Sequence, residues 1–141
     1  MKTFLALLLT MASAAAIETE PKTFKAPGGT EVLYQFAAPA KTEEGKKYPL
    51  VLFLHGSGER GNDNKAQLRN GVEDILRGAA DLGEKVYFIA PQCPPEQWWA
   101  EPAESRLTLK DAGGKNPLLD ALLALIKETA EQNPIDLQRI Y

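Results

Sequence analysis

From Leu50 to Leu54 the chain is apolar on both alternating sets of positions, the pattern of a strand covered on both faces in a parallel sheet. A second run of the same kind, Val86-Tyr87-Phe88-Ile89-Ala90, is predicted to close at Pro91, which has no N–H with which to continue a ladder. Between the two runs Leu68, Val72, Ile75, Leu76 and Ala79 recur at helical spacing and predict a crossover helix, interrupted by Gly71 and Gly78. Upstream, Thr23–Ala26 and Thr30–Phe36 read as two extended stretches joined through Pro27-Gly28-Gly29, a hairpin with Val32, Tyr34 and Phe36 on one face. The stretch 37–49 carries charges without an apolar period and reads as a solvated connection.

The C-terminal helix has the clearest signature. Asn116 is placed to cap it, Pro117 suits its first position, and Leu118, Leu122, Leu125 and Ile126 share a face that Leu119 and Leu123 widen. It should end between Glu131 and Asn133, because Pro134 disfavours helical geometry in the residue before it. Ile135 to Tyr141 then turns back toward the sheet as a further strand. The order is hairpin, strand, helix, strand, helix, strand. That order makes the fold α/β: an antiparallel hairpin followed by parallel strands with right-handed crossover helices.

The first residues change the picture of what folds. Lys2, the apolar run from Phe4 to Met11 and the small residues Ala12-Ser13-Ala14-Ala15-Ala16 have the order of a secretory signal peptide, too short in its apolar part to span a membrane. The expectation is therefore a signal peptide at 1–16, cleaved after Ala14 or Ala16, and a folded part at 17–141. The product is expected to be periplasmic or extracellular, with no membrane association after cleavage. Removal of Lys2 takes the formal charge from −3 to −3 − 1 = −4, which gives no basic surface for nucleic acid. The single cysteine, Cys93, allows no intramolecular disulfide, so an exported fold must rest on its core.

The segment from Pro49 to Asn64, PLVLFLHGSGERGNDN, delivers a His-Gly pair and a glycine-spaced loop to the C-terminal edge of a buried strand, where open α/β sheets place their ligands. Such a loop can aim a backbone N–H at the oxygen of an acyl carbonyl as negative charge develops on it, and Gly56 and Gly58 allow close approach. His55 is better read as making a structural hydrogen bond than as a base. Trp98 and Trp99, in a proline-bounded loop after the second strand, suit either the wall of an acyl or aromatic pocket or simple packing. Cys93 reads as a small buried residue, since no second histidine is present to activate it. Glu59, Asp63 and Asp74 lack the spacing of a calcium or zinc site and read as a solvated loop and helix face. No cofactor or metal is expected.

From about Thr30 to Tyr141 the sequence resembles the bacterial α/β-hydrolases described as predicted peptidases or phospholipase/carboxylesterase-like esterases. These are related to polyhydroxybutyrate depolymerase-type and dienelactone hydrolase-type enzymes. The resemblance rests on YPLVLFLHGSGERGNDN at 48–64, FIAPQCP at 88–94 with Trp98-Trp99, and PIDLQRIY at 134–141. It implies an α/β-hydrolase sheet and hydrolysis of a small-molecule carboxylic ester through a serine acyl-enzyme. The residue after His-Gly, here Ser57, would supply one oxyanion N–H from the loop begun by Gly56. It also implies a catalytic serine in a Gly-x-Ser-x-Gly elbow directly after the strand that Arg139-Ile140-Tyr141 enters. None of the 141 positions carries that elbow: the only Gly-Ser pair is Gly56-Ser57, in the oxyanion loop. The acid and base of the triad follow the serine, so they too are absent and the domain at 17–141 is expected to be incomplete. By itself this chain is expected to be inactive. A serine peptidase of the prolyl-oligopeptidase type, or a non-catalytic truncated binding module, are the alternatives.

Overall fold

The computed structural model describes residues 18–100 and 116–141, so the export segment expected at 1–16 lies outside the described residues. The elements are β1 (Glu20–Lys25), β2 (Glu31–Ala37), β3 (Tyr48–Leu52), α1 (Val72–Asp81), β4 (Tyr87–Gln92), α2 (Pro117–Gln132) and β5 (Ile135–Ile140). Two short 3-10 turns, Ser57–Glu59 and Ala66–Leu68, lie between β3 and α1. The strands form one sheet in the order β1-β2-β4-β3-β5. β1 with β2 and β2 with β4 run antiparallel, while β3 runs parallel to both β4 and β5. This is the α/β arrangement expected from the sequence, hairpin included.

Alternation along the two central strands explains the three layers. Leu50, Tyr87 and Ile89 join Leu118, Leu122 and Leu125 of α2 in one core. The intervening residues Val51 and Phe88 turn the other way, with Phe53, against Val72, Ile75 and Leu76 of α1. Leu50, Phe88 and Ile89 are 0 % exposed and Leu125 is 1 % exposed. At about 1.5–3 kcal/mol for each such side chain, this burial holds β3 and β4 in place, and with them the loops that leave their C-terminal ends.

Three details differ from expectation. Pro91 lies inside β4, opposite Tyr34 of β2. The Ile89 carbonyl faces β3, where it accepts the Phe53 N–H at 2.8 Å. Pro91, two residues on, faces the same side but past the end of β3, so its missing N–H costs no ladder bond. The helix expected to include Leu68 is divided: Leu68 falls in the second 3-10 turn, and α1 starts only after Gly71, whose φ is +85°. The chain turns there under the Phe53 ring, which would stand 3.5 Å from a Cβ at position 71. Leu123 does not widen the buried face of α2 but is 66 % exposed, since the stripe of Leu118, Leu122, Leu125 and Thr129 leaves it facing water.

The start of α2 is as read from the sequence. The Asn116 side-chain oxygen accepts the N–H groups of Leu118 and Leu119, both at 3.1 Å, and Pro117 occupies the first turn.

Candidate active site

Because β3 and β4 are adjacent and parallel, the segment after Leu52 and the segment after Gln92 leave the sheet side by side. They are tied together at His55 and Cys93. The Cys93 N–H donates to His55 Nε2 at 2.9 Å, which makes Nε2 the acceptor and puts the ring proton on Nδ1. Nδ1 in turn lies 2.6 Å from the Gly56 carbonyl, to which it donates. His55 is 4 % exposed, and Trp99 sets its ring edge-on to it at 5.3 Å while donating its indole N–H to the His55 carbonyl at 3.1 Å. Both ring nitrogens are thus committed to holding the loop, in keeping with a structural histidine.

Gly56 has φ −77° and ψ 178°, and Ser57 opens the first 3-10 turn, closed by Glu59 N–H on the Gly56 carbonyl at 3.3 Å. As the first residue of the turn, Ser57 has no carbonyl behind it to bond. Among the described residues its N–H has no hydrogen-bond partner. Ser57 is exposed.

Beside this turn lies a pocket of about 150 Å³ lined by Gly56, Ser57, Arg60, Cys93, Trp98 and Trp99. The four residues singled out in the sequence as site residues therefore meet at one place. Both tryptophans line the pocket. Trp99 packs against the main core as well as the pocket, whereas Trp98 is 40 % exposed and carries the Arg60 guanidinium 4.0 Å from its ring centre. Arg60 Nε donates to the Ser57 carbonyl at 2.9 Å and its Nη1 to the Gln97 carbonyl at 3.4 Å, which straps the turn to the tryptophan loop. Burial pushes the Cys93 thiol pKa up and the charge of Arg60 offsets this only in part, so the buried thiol is not a thiolate nucleophile.

A polar assembly behind the turn was not legible from the sequence. Asn64, the one described non-glycine residue with positive φ (+50°), gives its side-chain N–H groups to the carbonyls of Lys22 and Tyr34, each at 3.1 Å. Its own N–H goes to Gln92 Oε1 at 2.7 Å, and its carbonyl accepts from Gln35 Nε2 at 2.6 Å. Gln92 Nε2 donates to Asp63 Oδ1 at 2.8 Å and to the Glu59 carbonyl at 3.3 Å. Asp63, read as part of a solvated loop, is exposed but its carboxylate accepts the Lys65 and Ala66 N–H groups at 3.0 Å each. Those two backbone bonds, first Ala66 and then Lys65, with Gln92 next, hold its pKa at about 2. Glu59 accepts from Asn70 at 2.6 Å and Asp74 pairs with Arg77. Among the described residues no three His, Cys, Asp or Glu side chains are grouped as metal ligands. The available signal was two glutamines, Gln35 and Gln92, at strand positions with apolar neighbours, and an Asn in a turn-rich run that tolerates positive φ.

No family model matches the chain, and no curated protein sequence matches it. Solved structures do. A thermostable esterase is 33% identical with a TM-score of 0.72, over 87% of this chain and 33% of the esterase. A ferulic acid esterase from the anaerobic fungus Anaeromyces mucronatus is 16% identical with a TM-score of 0.58, over 88% of this chain and 47% of that one. The acylaminoacyl peptidase of Pyrococcus horikoshii is 19% identical with a TM-score of 0.53, over 89% of this chain and 18% of the peptidase. The last two likenesses carry the fold alone, and in every case this chain spans less than half of the similar protein. The sheet is mixed with a parallel centre, and on the likeness to the 33%-identical esterase the chain belongs to the α/β-hydrolase superfamily.

Proposed function

We propose that this chain forms the oxyanion-hole half of an exported serine carboxylesterase acting on small-molecule esters. The observation that carries the proposal is the meeting of the Ser57 N–H, which has no partner among the described residues, with Trp98 and Trp99 around one pocket at the C-terminal edge of β3 and β4. An acyl carbonyl seated there would direct its oxygen at Ser57 N–H, a donor already oriented by the 3-10 turn and by the Arg60 strap on the Ser57 carbonyl. Only donors aimed where charge develops lower the barrier, because they bind the tetrahedral oxyanion more tightly than the ground-state carbonyl. The nucleophile, its general base and the acid that orients the base have no counterpart in these 141 residues. They would have to come from further polypeptide, in the elbow that the family places after β5. Ester rather than peptide substrates are favoured by the 33% identity to an esterase, and export by the first sixteen residues.

The test takes the protein encoded by the complete reading frame and measures turnover of a short-chain aryl ester before and after a serine-reactive phosphonate. Turnover that the phosphonate abolishes, with the label on a serine in a Gly-x-Ser-x-Gly segment, is the expected result. A protein that neither labels nor turns over the ester, or a frame that ends at Tyr141, would favour a non-catalytic binding module instead.

A further inference from the structure

Arg60 is held more tightly than its place at the pocket requires. Its guanidinium lies 4.0 Å from the Trp98 ring centre, two of its five N–H groups are bound by the Ser57 and Gln97 carbonyls, and the rest have no partner among the described residues. Arg77 and Arg139 each hold a carboxylate, but no described carboxylate pairs with Arg60. Arg60 and Cys93 line the same pocket, and the Arg60 charge opposes the upward shift that burial gives the Cys93 thiol. A guanidinium already fixed by stacking and by two backbone acceptors loses little freedom when an anion binds, and the aromatic wall beside it weakens solvent screening.

We propose that Arg60 is a specificity residue, and that the pocket takes esters carrying a carboxylate a short chain away from the ester group. The proposal rests on the pocket being the ester site. The neutral ester end would lie toward Ser57, and the carboxylate would take the free edge of the guanidinium as a charge-assisted pair.

The two tryptophans of the chain, Trp98 and Trp99, both wall this pocket, so intrinsic tryptophan fluorescence of the 141-residue protein reports on it without labelling. Monomethyl succinate and dimethyl succinate differ only in whether the second carboxyl is free or esterified. Titration should give saturable changes with both, the monoester binding roughly fivefold to tenfold more tightly at low salt. That preference should shrink toward unity as salt approaches about 1 M, where screening reaches contact range. Arg60→Gln should bind both esters alike, and Arg60→Lys should keep part of the preference. Equal affinity of the parent protein for the two esters overturns the role of Arg60 while leaving the ester site standing. So does a preference that persists in folded Arg60→Gln. Should that variant fail to fold, a preference in the parent that ignores salt overturns the role equally. Binding of neither ester removes the ester site and this proposal together.

Discussion

The backbone N–H of Cys93 and the imidazole of His55 form the joint between the two loops that wall the pocket, at 2.9 Å and out of contact with water. The Cys93 carbonyl accepts the Gly61 N–H at 3.0 Å, so one peptide segment at the end of β4 grips the loop after β3 at two points. Loops are held precisely only where a rigid scaffold anchors them, and here β3 and β4 supply it.

Replacing His55 should therefore cost stability before it costs chemistry. His55→Leu leaves the Cys93 N–H buried without an acceptor, a loss of about 1–3 kcal/mol. His55→Gln, whose side-chain carbonyl can reach toward the same N–H, should cost less. Urea unfolding of both variants checks this; equal losses would mean that packing against Trp99, and not the hydrogen bond, is what matters.

Gly61 is required by close approach. A Cβ there would lie 2.8 Å from Gln92 Nε2. That amide cannot swing aside without giving up Asp63, Glu59 and Asn64. Gly61→Ala should destabilise by about 1–3 kcal/mol. In a Gln92→Ala background, itself destabilised by the stranded Asn64 N–H, the same change should cost almost nothing. A double-mutant cycle measures the difference, and a cost unaltered by removing Gln92 would show that the contact is not its origin.

Asp63 gives the loop a pH dependence of known sign. Its pKa is lowered from 3.8 to about 2 in the folded chain, so its hydrogen bonds to Ala66 and Lys65 contribute fully above pH 3.8. The contribution is lost as pH falls through the window from 3.8 to about 2. Glu43 and Asp136 are also lowered, by Lys85 and by the Gln138 N–H respectively, so acid unfolding of the parent mixes all three. Subtracting the stability profile of Asp63→Asn from that of the parent isolates the Asp63 part. A difference that stays flat between pH 5 and pH 2 would remove this account.

Periodicity carried the sheet because β3 and β4 are covered on both faces, which leaves an uninterrupted apolar run in the sequence. The Asn116-Pro117 pair carried the start of α2 because capping is local chemistry. What could not be read was set by neighbours distant in sequence. Pro91 stays in β4 because β3 has already ended beside it. Gly71 divides the helix because the Phe53 ring lies against the turn. Asn64 is the clearest case: its partners Lys22, Tyr34, Gln35 and Gln92 come from β1, β2 and β4, and nothing in the run Gly61-Asn62-Asp63-Asn64 distinguishes it from an ordinary polar turn. For the site, the motif indicated Gly56 and Ser57, but the Arg60 strap needed the position of Gln97.

The sharpest test of the oxyanion assignment is the pair Ser57→Ala and Ser57→Pro. Alanine keeps the backbone N–H and proline deletes it, so the first should change turnover little and the second should lower it by about 10² to 10³, or roughly 3 to 4 kcal/mol. Proline normally confounds such a comparison by distorting the backbone, but Ser57 is the first residue of a 3-10 turn, where an N–H has no partner to lose. Gly56 before it is already extended, with ψ 178°, the geometry that a following proline requires. Both variants of this chain should thus unfold within about 0.5 kcal/mol of the parent, as expected for substitutions at exposed positions without special contacts. Turnover is then compared in the protein of the complete reading frame. Substrate binding should fall less than turnover, because full charge is present on the oxygen only in the transition state. If Ser57→Ala proved as damaging as a folded Ser57→Pro, the hydroxyl would be the working group. The pocket would then need a hydrogen-bonding role for Ser57 Oγ in place of its backbone N–H.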